Sequence, residues 1–222
     1  LRFVHVQAGA TGACGIGTDG QTYCWGVVGA IPLAIGTSAS NEGEDVCVGT
    51  YSMKAGHCAV PTIVDGGHRF TLLAPVAASD CGLDGGAAWC WGLREWGTLG
   101  DGIESFRSAR TPVRVATDRR LNLVTAGSLF MCALDVDGAA WCWGNNFRGT
   151  LGIGTISGGS WAPVPVTGGL RFVALSSGSL HTCGITTDQS VYCWGINLFG
   201  QVGQSPTMGD VPAPIRVDLP PQ

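Results

Sequence analysis

One cysteine hairpin pattern recurs four times along the 222-residue chain, and it constrains the fold more than any other feature. Its third copy reads CALDVDGAAWCWG from Cys132, with an Asp-Gly turn between two cysteines and a Trp-Gly after them. Related segments begin at Cys14, Cys81 and Cys183, and aligning these cysteines aligns the rest of the chain. A fixed internal period of this size indicates a repeat architecture in which each unit is one supersecondary element.

Each unit contains four short segments with strand character, and helical periodicity is missing. In the third unit these segments are LNLVTA, FMCAL, AAWCWG and the closing PVPV. Apolar residues occupy both faces of the second segment, because Met131 and Ala133 alternate with Cys132 and Leu134. A sheet that is apolar on both faces needs a cover on each, as a propeller blade has between its neighbours. We therefore predict an all-β propeller of four four-stranded antiparallel blades, without significant helix.

The alignment predicts one propeller domain, 1–222, divided into four units. The unit boundaries lie near 1–69, 70–120, 121–171 and 172–222. The first unit is longer than the others because it carries an insert.

The last closing segment, residues 213–217, has no following unit to lead into. Since an open array leaves exposed strand edges, we expect residues 213–217 to join the sheet that contains residues 2–6. This velcro closure of the N- and C-terminal strands would give four blades within one chain or eight between two chains. A fragment of a seven-bladed parent is the third alternative.

The hairpin register accounts for the cysteine pairs. If residues 136–138 form a three-residue loop, Cys132 faces Cys142 at a non-hydrogen-bonded position, where α-carbons approach to about 4.5 Å. A disulfide fits this gap. Zinc sites and redox couples favour Cys-x-x-Cys spacing, which the chain lacks. The predicted disulfides are Cys14–Cys24, Cys47–Cys58, Cys81–Cys90, Cys132–Cys142 and Cys183–Cys193.

The number and regular spacing of the cysteines also bear on the compartment. All ten cysteines fall into pairs, whereas cytosolic proteins keep thiols reduced and rarely carry so many at regular spacing. We therefore expect a secreted protein, located in an extracellular or periplasmic compartment.

The segments SLHTCGI and VYCWG, followed by an N-x-x-G-Q-x-G loop and a P-x-x-V ending, resemble the regulator of chromosome condensation repeat. The resemblance covers nearly the whole chain and implies a β-propeller, usually of seven blades. Members of the family include nuclear exchange factors for a small GTPase, a plant UV-B receptor, and secreted bacterial propellers that inhibit β-lactamases. The cysteine pairs resemble the secreted bacterial members and argue against the nuclear role.

Composition and motifs exclude several functions. A net charge of −4 and a single lysine, Lys54, disfavour a nucleic-acid partner. Apolar runs are too short for a membrane span. The chain lacks a G-x-S-x-G elbow and a metalloprotease motif, and its glycine-rich loops lead into no helix. We expect a protein that is not an enzyme and that needs no cofactor and no metal.

Binding residues are expected where one unit differs from the others, since all units share what packing requires. The insert at 37–59 occurs once, and its disulfide would limit the entropy lost on binding. A tolerated surface insertion is the alternative. The repeated Trp25, Trp91, Trp143 and Trp194 are expected to pack blades, whereas loop tryptophans can anchor a partner. The candidate binding residues are Glu42, Glu44, Asp45, Tyr51, Met53, Lys54, His57, Trp96 and Trp161.

Two functions fit these features. The first is a secreted binding or scaffold propeller that engages a protein or glycan through surface loops. The second is a structural extracellular subunit that assembles into a homo-oligomer or polymer, as a ring or filament. A fragment of a seven-bladed exchange-factor-like or inhibitor propeller is a third alternative.

We predict that peptide mapping under non-reducing conditions will find all ten cysteines in the five disulfides named above. The reason is that each hairpin brings its own two cysteines to bonding distance, leaving Cys47 and Cys58 as the remaining pair. Free thiols, or a disulfide between two units, would contradict the prediction.

Overall fold

The computed structural model describes residues 1–9, 12–28, 56–75 and 79–218. In these residues the strands form four antiparallel sheets, and each sheet consists of four consecutive strands. Helical structure is confined there to two short 3-10 turns, Glu95–Gly97 and Pro206–Met208. The predicted all-β class with four four-stranded blades is confirmed.

Each blade lies within one of the repeat units. The first contains β1 (Phe3–Ala8), β2 (Gly12–Gly17), β3 (Thr22–Val28) and β4 (Gly56–Ile63). The second contains β5 (Leu72–Pro75), β6 (Ser79–Asp84), β7 (Ala87–Gly92) and β8 (Ala109–Arg114). The third contains β9 (Leu121–Ala126), β10 (Phe130–Asp135), β11 (Ala140–Asn145) and β12 (Gly159–Pro165). The fourth contains β13 (Phe172–Ser177), β14 (His181–Thr186), β15 (Val191–Gly195) and β16 (Val211–Arg216).

The Asp-Gly turn of the third unit closes the hairpin between β10 and β11. The Asp135 carboxylate accepts hydrogen bonds from the amides of Asp137 and Ala139, at 3.0 and 2.9 Å. Its other oxygen accepts a 3.0 Å bond from the Trp141 indole. Gly138 has a φ of 79°, which glycine adopts without steric cost. These contacts set the register that pairs Cys132 with Cys142.

Four of the predicted cysteine pairs lie at disulfide distance, and their α-carbons are 4.1 Å apart. In each, the two cysteines face each other across the second and third strands of a blade. The bridge Cys47–Cys58 involves residues outside those whose side chains are described, so it stays a prediction.

The Trp-Gly after each hairpin marks an irregular position in the sheet. The pairing of β11 with β12 shifts register between Cys142 and Gly144. Gly144 has a φ of 102°, and a Cβ there would lie 2.5 Å from the carbonyl oxygen of Leu129. Only glycine fits this backbone, and the bulge turns the chain away from the strand into the loop that follows.

The hydrophobic core lies between blades. The indole of Trp143 is fully buried in a cluster with Cys81 and Cys90 of the second blade, and it donates a 3.0 Å hydrogen bond to the Thr98 carbonyl. Trp194 occupies the equivalent place one blade later and donates to the Thr150 carbonyl, also at 3.0 Å. Each indole therefore joins its blade to the preceding disulfide hairpin.

The predicted velcro closure is wrong. Residues 213–217 do not pair with residues 2–6, because β16 pairs with β15 in its own blade, where Ile215 lies opposite Cys193. The sheet of the first blade is likewise complete with β1 to β4. Since every blade is built from strands of its own unit, no strand is left over to be exchanged between the two ends.

One repeat position provides a test of packing between blades. Leu134 is 2% exposed in the cluster that joins the third and fourth blades, whereas Ile185, at the same position of the fourth blade, is 43% exposed. We predict that Leu134→Ala lowers the free energy of unfolding by about 2–5 kcal/mol. Ile185→Ala should lower it by less than about 1 kcal/mol. Chemical denaturation at low protein concentration measures both, and equal losses would contradict the packing scheme.

Candidate binding surface

Three long loops connect the third and fourth strands of the second, third and fourth blades. They begin at Leu93, Asn146 and Ile196, directly after β7, β11 and β15. Because they leave the same end of equivalent strands, all three lie at one end of the propeller. The Asp-Gly hairpin turns lie at the opposite end of those strands.

Buried polar side chains hold these loops from within. The amide of Asn146, fully buried, donates a 2.9 Å bond to the Thr155 carbonyl and accepts a 3.0 Å bond from the Leu151 amide. Asn197 holds the next loop in the same way, through the Ser205 carbonyl at 2.9 Å. These hydrogen bonds explain why the repeated loop pattern begins with asparagine in the third and fourth blades. A loop held by buried hydrogen bonds loses little entropy on binding.

The second blade replaces the asparagine with an ion pair. Arg94 contacts Asp101 at 2.7 Å, and both side chains are nearly excluded from solvent. The Arg94 Nε also donates a 3.1 Å bond to the Arg107 carbonyl, which anchors the far end of the loop. Arg94 and Asp101 were not singled out from the sequence, although the break in the repeat pattern at Arg94 is a signal that could have found them.

The loops of the second and third blades are also braced against the next blade. The Gly102 amide donates a 2.8 Å hydrogen bond to the Trp161 carbonyl. The Gly154 amide donates a hydrogen bond of the same length to the Pro212 carbonyl. Arg148 extends from the third blade to Asp210 of the fourth at 3.0 Å. The end of the propeller that carries the loops is therefore a connected framework and not a set of independent segments.

Two pairs of aromatic rings lie on this framework, and each pair joins the second blade to the third. Trp96 packs edge-on against Phe147, with ring centroids 4.8 Å apart, and Phe106 packs similarly against Trp161 at 5.7 Å. Phe106 is 69% exposed, and Trp96 and Phe147 are also exposed. We call these four residues the aromatic surface. Exposed aromatic groups on a rigid support are typical of interaction sites.

Further apolar side chains lie at the same end of the propeller. They are exposed, belong to the same three loops, and are Ile103, Ile156, Leu198, Phe199 and Met208. Glu95, Glu104 and Arg107 are exposed charged residues of the first of these loops. Protein interfaces combine exposed apolar and charged side chains in this way.

The structure brings some predicted binding residues together and not others. Trp96 and Trp161 both belong to the aromatic surface, although Trp161 lies within β12 and not in a loop as expected. Phe106 and Phe147 were not predicted as binding residues. The sequence of one repeat does not show which aromatic side chains from loops of neighbouring blades contact each other. The other predicted binding residues belong to the insert. Only the backbone of His57, in β4, is described. The remaining ones lie outside the described residues, and they are Glu42, Glu44, Asp45, Tyr51, Met53 and Lys54.

The titratable groups with shifted pKa values belong to hairpin turns and strands. A hydrogen bond from the Tyr23 hydroxyl lowers the pKa of Asp19, and one from Thr186 lowers the pKa of Asp188. In the described residues a cluster of potential metal ligands joins Cys14, Cys24 and Asp80. Its two sulfurs form a disulfide, so they offer no thiolate to a metal ion.

His181 lies at the entry of β14, where the third blade has Phe130. Its ring makes no hydrogen bond among the described residues, and burial lowers its pKa below the usual 6.5. The folded state therefore binds fewer protons than the unfolded state as the pH falls through the usual value. The contribution of His181 to the free energy of unfolding is therefore highest at high pH and falls as the pH is lowered.

We predict that replacing His181 with the apolar ring of Phe removes this part of the acid sensitivity. The free energy of unfolding of the parent protein should fall between about pH 7.5 and about pH 5 by more than that of His181→Phe. Denaturant titrations at both pH values measure the difference. Identical losses in parent and variant would contradict the effect of burial.

Comparisons with known proteins agree with the blade architecture. Two models of the regulator of chromosome condensation (RCC1) repeat match the chain, one at residues 123–150 and 172–201 and the other at 137–185. The described residues contain no helix that is long and apolar enough to span a membrane.

Two curated relatives and one solved structure illustrate the similarity. The chain is 29% identical over 212 residues to the human E3 ubiquitin-protein ligase HERC2, covering 93% of this chain and 4% of the relative. It is 31% identical over 164 residues to the guanine nucleotide exchange factor SRM1 of Saccharomyces cerevisiae, and the match covers 69% of this chain and 34% of the relative. The structure of yeast RCC1 (Prp20) bound to Kap60 superposes with a TM-score of 0.76 at 24% identity, over 99% of this chain and 50% of that chain. The chain thus spans only part of each of these proteins.

Proposed function

We propose that this chain, which belongs to the regulator of chromosome condensation repeat family, is a non-enzymatic propeller that binds a protein partner through the aromatic surface. The exposure of Trp96, Phe106 and Phe147 on braced loops is the observation that carries the proposal. Tryptophan and its aromatic neighbours dominate the energy of protein interfaces when a partner buries them.

The arrangement of the rings supports a macromolecular partner. The rings of the aromatic surface belong to two blades, and Phe199, on the equivalent loop of the fourth blade, is 87% exposed. A partner therefore has to cover side chains from several loops at once. A folded protein with a groove fits this requirement better than a single sugar does.

Relatives provide a precedent of the same kind. Yeast RCC1, which superposes on this chain, was solved in complex with the protein Kap60, and the yeast relative SRM1 is a guanine nucleotide exchange factor. The match to the human ubiquitin ligase covers 4% of that protein and carries no argument for ligase activity here. Binding of another protein therefore has a precedent among chains similar to this one.

The disulfides support a location in an oxidising compartment. Four hairpins each carry a cysteine pair at bonding distance. Because reducing compartments rarely maintain such bonds, an extracellular or periplasmic location is part of the proposal.

We predict that the double substitution Trp96→Ala, Phe147→Ala abolishes capture of the partner while leaving the fold intact. The protein, immobilised and exposed to its native extracellular fluid, should retain a specific protein that mass spectrometry identifies. Binding of that purified protein should weaken by at least about 2 kcal/mol in the variant, as for hot-spot residues.

The matched control is Val136→Ala, which removes an exposed apolar side chain from a hairpin turn at the opposite end of the propeller. It should bind as the parent does. If the double variant binds as well as the parent, the aromatic surface is not the binding site. If binding is lost only when residues 38–58 are removed, the binding site lies in the insert.

A further inference from the structure

The loop of the second blade differs from the equivalent loops in the residues that anchor it. Counted from the Trp-Gly of each hairpin, Arg94 stands where the third and fourth blades have Asn146 and Asn197. The same count places Asp101, the ion-pair partner of Arg94, where the third blade has Ile153. In this one loop a charged pair therefore replaces a neutral amide and an apolar side chain.

The two kinds of anchor reach different distances along their loops. The Asn146 amide donates to the Thr155 carbonyl, nine residues further along the chain. The Arg94 Nε donates to the Arg107 carbonyl, thirteen residues further along the chain. Because an arginine side chain is longer than an asparagine side chain, Arg94 holds a point that lies only two residues before β8.

The longer reach changes the path of the loop over the third blade. Gly102 and Gly154 occupy the same repeat position, and each amide donates a 2.8 Å hydrogen bond to the next blade. In the third blade the anchored Thr155 follows Gly154 directly, whereas the anchored Arg107 lies five residues beyond Gly102. The intervening segment carries Phe106, whose ring packs on Trp161 of the third blade.

The tip of the loop also has its own backbone conformation. A turn begins at Arg94 and is closed by a 3.4 Å hydrogen bond from the Gly97 amide to the Arg94 carbonyl. Its third residue, Trp96, has a φ of 56° and a ψ of 18°, a left-handed conformation that is costly for residues other than glycine. Arg148, at the same position of the third blade, does not share this conformation. Such strain persists only where the surrounding structure holds it, and in this conformation the Trp96 indole packs edge-on against Phe147.

We propose that Arg94, paired with Asp101, is the positioning residue that builds the aromatic surface. It fixes the tip of its loop, where Trp96 stands, and the far end, next to Phe106. The asparagine of the other blades is too short for both contacts. That the surface binds a protein rests on the function proposed above, whereas the part that Arg94 plays in building it is tested on the protein alone.

Stability of the blade does not by itself account for the ion pair. The side chains of Arg94 and Asp101 are 9% and 6% exposed, and a buried ion pair is often no more stabilising than apolar residues of similar volume. Asn146 and Asn197 hold the equivalent loops with neutral amides. A blade of this design therefore needs an anchor but not a charged one, and the charged anchor is distinguished by the loop geometry that it sets.

An exchange of anchors tests the proposal. The double substitution Arg94→Asn, Asp101→Ile installs the residues that the third blade has at Asn146 and Ile153. The fold should remain, because this pair already anchors an equivalent loop. The circular dichroism spectrum and a cooperative thermal unfolding transition would show that the fold is intact.

Nuclear Overhauser contacts between the rings report on the aromatic surface directly. The parent should show contacts between Trp96 and Phe147 and between Phe106 and Trp161, whose ring centroids are 4.8 and 5.7 Å apart. Both contacts should disappear in the folded double variant. A folded double variant that keeps both contacts at the intensity of the parent would overturn the proposal.

A second variant keeps the positive charge and shortens the reach. Arg94→Lys replaces the separate guanidinium nitrogens that contact Asp101 and the Arg107 carbonyl with one ammonium group. The fold should remain, and the contact between Phe106 and Trp161 should be lost. If the double variant does not fold, this variant decides, and an unchanged contact in it contradicts the proposal. If neither variant folds, Arg94 is required by the blade itself and the proposal is wrong.

The matched control is Arg148→Lys, which makes the same substitution in the ion pair of the next loop. Arg148 contacts Asp210 at 3.0 Å and has a side chain that is 47% exposed. Both pairs of rings should stay in contact in this variant. Loss of the ring contacts in the control would show that Arg94 has no special part in positioning them.

Binding separates this inference from the proposed function. Once the captured protein is identified, the folded double variant should bind it about 10-fold more weakly or worse. If the ring contacts are lost while binding is unchanged, the aromatic surface is not the binding site, although Arg94 still positions it. If the contacts persist while binding is lost, the positioning role of Arg94 is wrong and the proposed binding surface is unaffected.

Discussion

The insertion of one tryptophan into the preceding disulfide hairpin is the contact on which the structure depends. Trp91, Trp143 and Trp194 are fully buried there, and two of them donate a hydrogen bond to the loop that follows the hairpin. The disulfide keeps this hairpin rigid, and the bulge at Trp-Gly starts the loop that receives the indole. Because the contact joins different blades, no single unit can bury its own core.

The same repetition separates what holds the fold from what is free to bind. Residues at the junction positions are alike in all units because packing requires them. The loops beyond β7, β11 and β15 need only their buried polar anchors, such as Asn146 and Arg94, so their tips vary. Trp96 and Phe147 stand on those tips. Binding to a partner can therefore change without a cost to the blades.

The sequence by itself determined the blades, because strand alternation and hairpin register are local. It predicted four strands per unit and the pairs Cys14–Cys24, Cys81–Cys90, Cys132–Cys142 and Cys183–Cys193. The tertiary structure decided what depends on neighbours: that β16 pairs within its own blade and that Trp96 meets Phe147. Those contacts join residues far apart in the chain, and their geometry follows from the rotation between blades, which no local pattern encodes.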